Sequence, residues 1–93
     1  MHAASKDLPL TPAALSRLRW RCRRGMLEND IFIERFFASH EAALTQRHAV
    51  GLEALMDLAD NDLLDLLLVR REPQGALDCA PVRDVLSLMR RPA

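Results

Sequence analysis

Glycine, cysteine and aromatic residues are scarce in this 93-residue chain, which holds three glycines, two cysteines, three phenylalanines, one tryptophan and no tyrosine. Cys22 and Cys79 are too few to staple a small domain, and neither stands in a CxxC or Cys/His spacing. Reduced thiols in a reducing compartment are expected. Gly25 is followed by no second glycine in a phosphate-cradling or dinucleotide-binding pattern, which removes those two ligand classes. The longest apolar run, residues 66 to 69, is four residues, far short of the roughly 20 that span a bilayer. The N-terminal stretch MHAASKDLPLTP has neither the basic start, apolar core and cleavage site of a secretory signal nor the arginines of an amphipathic presequence. A soluble, cytoplasmic protein without membrane insertion is the expectation. His2, His40 and His48 are scattered without the spacing of a zinc site, so they are expected to be solvent-exposed and no metal is expected. No nucleophile elbow or positioned base is legible either, and no catalytic residue is assigned.

What is present is enough apolar material for a core, 49% of the chain, with 28% charged residues and a net charge of zero. A chain of this length buries a single core, covering about 60–65% of its unfolded surface. Residues 1–10 read as a flexible tail and 11–91 as one helical domain.

Thr11 before Pro12 reads as an N-cap with proline in the first turn, starting a helix that runs to Arg23 or Arg24 and stops at Gly25. Leu15, Leu18 and Cys22 form its apolar stripe and leave Trp20 among arginines. A second helix, 26–39, is apolar on nearly all sides, with Glu28 and Arg35 as its polar strip. That pattern predicts a buried central element. Thr45 caps a third helix to residue 59, carrying Val50, Leu55, Leu58 and Ala59 inward, with Gly51 costing some propensity. A short fourth helix opens at Asp60, where an acidic first turn suits the helix dipole, and ends before Pro73. Residues 72–80 read as a loop. The fifth helix starts at Pro81 and repeats Val82, Val85, Leu86 and Met89 at helical spacing. The predicted fold class is all-α, a small single-domain bundle of five short helices.

Charge is unevenly distributed. Arg17, Arg19, Arg21, Arg23 and Arg24 crowd one segment, while Glu53, Asp57, Asp60, Asp62 and Asp65 crowd another. Such asymmetry points to a charged partner or to two elements of the chain facing each other. Three readings of the arginines stay open: a solvated face paired internally, a protein-docking surface, or a small nucleic-acid-binding module that uses residues 17–24 with Trp20 stacking on a base. Zero net charge and the acidic segment weigh against the last.

Arg24, Gly25 and Glu28 form an RGxxE pattern. Alone it is weak, but the stretch LRWRCRRGMLENDIFIERFF, residues 18–37, closely resembles the signature segment of the succinate dehydrogenase flavinylation factors, the SdhE family. DNDLLDLLL, residues 60–68, resembles the family's D-x-D-L-x-x-W-L segment, with Leu66 in place of the usual tryptophan. The resemblance covers roughly residues 13 to 90 and implies a five-helix assembly factor, not an enzyme. Such factors promote covalent attachment of FAD to a histidine of the succinate dehydrogenase flavoprotein subunit, and in some bacteria of fumarate reductase. It implies no tightly bound cofactor, FAD being the group attached to the partner. Carried over by position, Arg24, Gly25 and Glu28 are the functional motif, and Arg17, Trp20 and Arg23 its neighbours on the partner-binding surface.

Overall fold

The computed structural model describes residues 7–23 and 25–90. Within them lie five α-helices: α1 (Pro12–Arg21), α2 (Leu27–His40), α3 (Gln46–Met56), α4 (Asp60–Leu67) and α5 (Ala80–Arg90). Two single 3-10 turns, Glu41–Ala43 and Gly75–Leu77, lie in the connections. The expected all-α fold of five short helices is what the chain adopts. Residues 1–6 of the expected tail and residues 24 and 91 of the expected domain lie outside the described residues. The last part of that tail is paired: the Leu10 amide donates to the Leu44 carbonyl at 3.2 Å and the Gln46 amide to the Leu8 carbonyl at 2.8 Å.

Local chemistry explains both ends of α1 and the start of α3. Thr11 caps α1, its hydroxyl oxygen accepting from the Ala14 amide at 3.1 Å, with Pro12 in the first turn. The helix stops at Arg21 rather than at residue 23 or 24. The Cys22 amide is shared between the Leu18 and Arg19 carbonyls, and Arg23 bonds back to Trp20, so the last turn tightens into 3-10 geometry and ends. Thr45 caps α3 as expected, but its partner in the capping box is His48, whose Nδ1 accepts the Thr45 amide at 3.0 Å. His48 is therefore a half-buried structural residue, not a solvent-exposed one.

The core gathers Leu18 of α1 and Cys22 just past its end, Ile33, Phe36 and Phe37 of α2, Leu44 of the connection, and Leu52, Leu55 and Met56 of α3. Leu63, Leu66 and Leu67 of α4 and the four expected residues of α5 complete it. The densest interhelical packing is between α3 and α5, so that pair rather than α2 is the centre of the bundle. Gly51 permits it: a Cβ there would lie 2.4 Å from the Pro81 carbonyl oxygen. The glycine read as a propensity cost is a crossing point.

Three expectations of burial fail. Val50, placed inward by periodicity, is 58% exposed, and Leu52 fills the core instead. Ala59, also placed inward, is exposed because α3 ends at Met56 and Ala59 is instead the N-cap of α4. On α2, Leu27 and Ile31 are 70% and 49% exposed, so this helix buries one face and displays an apolar strip on another. Leu66 is buried in the core, where a leucine suffices.

Candidate docking site

The sequence between α1 and α2 makes a corner. Past Cys22 the chain reaches Gly25, which takes φ +102°, a left-handed conformation that side chains disfavour. No atom lies within 4 Å of where its Cβ would be, so the backbone there is open to approach. Asp30, in the first turn of α2, accepts from the Gly25 amide at 3.3 Å and fixes the turn. Glu28 in the same turn is exposed, and both carboxylates sit at the positive end of the α2 dipole.

Beside this corner α1 and α2 enclose an open groove of about 980 Å³. Arg19, Trp20 and Arg23 form the α1 wall, Cys22 and Ile33 lie at its base, and Asp30, Glu34 and Phe37 form the α2 wall. Trp20 is 71% exposed, and the Arg23 guanidinium carbon stands 5.0 Å from its ring centroid. That cation–π contact holds a large ring in solvent beside the groove. The thiols of Cys22 and Cys79 are not bridged, and Cys22 is fully buried as core filling.

Of the residues carried over by resemblance, Trp20, Arg23 and Gly25 come together on the groove rim. Arg17 is exposed on α1 and Glu28 on α2, and neither lines the groove. Arg24 lies outside the described residues. Three contributors were missed. Arg19 spans the groove to Glu41 at 2.6 Å, and Leu27 and Ile31 extend the surface along α2. The excess of apolar residues round α2 was the signal for the last two.

The charge asymmetry is partly internal. Arg21 bridges α1 to α3 through Asp57 at 2.6 Å and Glu53 at 3.3 Å. Asp62 and Asp65 pair with Arg71 and Arg70. Such exposed pairs contribute about 0–1 kcal/mol each. Among the described residues no group of three or more His, Cys, Asp or Glu is placed to hold a metal ion. No helix among them is long and apolar enough to cross a membrane. The carboxyl held below its ordinary value, Asp78 by the Arg83 hydrogen bond, belongs to the loop before α5 and not to the groove.

An exposed indole, an open glycine corner and a charged groove make this a small all-α protein with a candidate docking surface. The chain belongs to the family described as the flavinator of succinate dehydrogenase, whose model matches residues 16–90. It is 57% identical over 79 residues to the FAD assembly factor SdhE of Ralstonia nicotianae, covering 85% of this chain and 83% of that one. Over 65 residues it is 40% identical to the factor of the same name from Coxiella burnetii, covering 70% and 79%. The Legionella pneumophila factor is 37% identical over 62 residues, covering 67% and 78%. These relatives are named as assembly factors, not catalysts. No solved structure matches the chain.

Proposed function

We propose that this chain docks on the flavoprotein subunit of succinate dehydrogenase, or of the related fumarate reductase, and promotes covalent attachment of FAD to it. The observation that carries this reading is the corner at Gly25, where open backbone, the exposed Trp20 and Arg23, and Glu28 three residues on, in the first turn of α2, stand outside the core. The histidine and the flavin, both held by the flavoprotein, supply the reacting atoms. The factor holds the flavoprotein in a competent arrangement, and catalysis by positioning needs no acid or base of its own.

The test is co-expression with the flavoprotein subunit in cells lacking their own factor, with covalent flavin read as fluorescence on a denaturing gel. Glu28→Ala is expected to lower flavinylation by about tenfold or more, the equivalent of about 1.4 kcal/mol of lost positioning, while circular dichroism stays at wild type. Equal loss of helix content and flavinylation would make Glu28 structural, and flavinylation indifferent to this chain would sink the proposal. Gly25→Arg is the less clean variant, because φ +102° adds about 1–2 kcal/mol of backbone strain for any side chain.

A further inference from the structure

A charged pair, Arg19 and Glu41, crosses the groove between α1 and α2. Arg19 Nη1 reaches Glu41 Oε1 at 2.6 Å, and the Arg19 guanidinium carbon lies 5.1 Å from the Phe37 ring centroid. Both side chains are about half exposed, at 50% and 45%. A pair so wet is held by at most about 1 kcal/mol, so a carboxylate from outside can displace Glu41 at little cost. Arg21, two residues on, is instead committed to Glu53 of α3 and to Asp57 at its C-terminal cap.

The size and lining of the groove indicate what fits. At about 980 Å³ it is as large as the clefts that enclose small molecules, about 300–1,000 Å³, but it is open to solvent and walled by charges of both signs. A short extended piece of polypeptide suits it better than an enclosed ligand. Positive charge lies on the α1 wall with Arg19 and Arg23, Phe37 offers an aromatic surface, and Glu34 faces from α2. Such a lining selects a segment whose carboxylate lies toward α1 and whose neutral or basic side chains lie toward Glu34.

We propose that this groove receives a carboxylate-bearing extended segment of the flavoprotein, and that on docking Arg19 exchanges Glu41 for the partner's carboxylate. The identity of the partner rests on the proposed function. Glu41 is then an internal competitor that occupies Arg19 while the factor is alone. The exchange makes opposite predictions for the two ends of one ion pair, which a merely structural bridge does not.

The experiment titrates the purified flavoprotein subunit with the wild-type factor, Glu41→Gln and Arg19→Gln, with melting curves for all three. Glu41→Gln is expected to tighten binding about two- to fivefold and Arg19→Gln to weaken it by at least as much, with all three melting within a few degrees of one another. Weakening by both variants, or no change in either while the wild type binds, would overturn the exchange and leave the flavinylation reading intact. Failure of the wild-type factor to bind would overturn that reading and this inference with it. The same titration against a single-stranded oligonucleotide closes the other route: tightening by Glu41→Gln there but not on the flavoprotein would assign the groove to nucleic acid and overturn the inference.

Discussion

Val69 is a β-branched residue held at φ +61°, where glycine or asparagine is expected. It closes α4: its amide donates to the Leu66 carbonyl at 3.2 Å and the Arg70 amide to the Asp65 carbonyl at 2.8 Å, which forces the intervening residue into the left-handed region. The side chain is 58% exposed and gains little burial in return. Val69→Gly is therefore expected to raise stability by about 1 kcal/mol, read as a melting temperature about 4–8 °C higher; an unchanged or lower value would show that the strain is compensated. Residue roles set by near neighbours were legible in the sequence. Thr11 caps, Trp20 stands among arginines, and Cys22 belongs to the core. His48 was misread because a histidine nitrogen does the work that glutamate or glutamine usually does in a capping box, and composition does not reveal which ring atom accepts a hydrogen bond.

Helices were legible from their caps and prolines, and their burial less so. The apolar circumference of α2 predicts full burial, yet Leu27 and Ile31 face solvent, because an apolar position shows by periodicity which face it is on but not whether another element covers that face. The groove escaped the sequence for a similar reason. Its α2 wall and the Glu41 that closes it are separated from Arg19 by more than ten residues of chain, and only the packing of two helices brings them together. Gly51 shows the same dependence on distant partners. Its reason lies thirty residues on, at the first turn of α5, where the Pro81 carbonyl carbon and oxygen would stand 2.7 and 2.4 Å from an added Cβ. Because backbone rather than a flexible side chain is met, Gly51→Ala is expected to cost about 1–3 kcal/mol despite alanine's better helix propensity. A chemical denaturation midpoint equal to or above wild type would show that α3 and α5 can separate without penalty.

The described residues span 36 × 27 × 23 Å, and part of their charge is tied up in bridges between elements. Arg21 ties α1 to α3, and Arg90 ties α5 to the end of α4 by donating to the Leu66 carbonyl at 2.9 Å. Of the two causes the sequence allowed, a charged partner or elements of the chain facing each other, the second accounts for Arg21 with Asp57 and Glu53. The exposed surface was legible as a family signature before it was legible as physics, since Arg17, Trp20, Arg23 and Glu28 are all exposed and none of them belongs to the core. Trp20 is the only indole in the chain and lies outside the core, beneath an arginine. Its ultraviolet emission should therefore resemble that of tryptophan in water, be readily quenched by acrylamide, and hardly change in urea while far-ultraviolet circular dichroism records the loss of every helix. Blue-shifted, protected emission from the isolated factor would contradict the exposed corner. With the expected result, the protein's one fluorophore is blind to its own unfolding and reports on its surface alone.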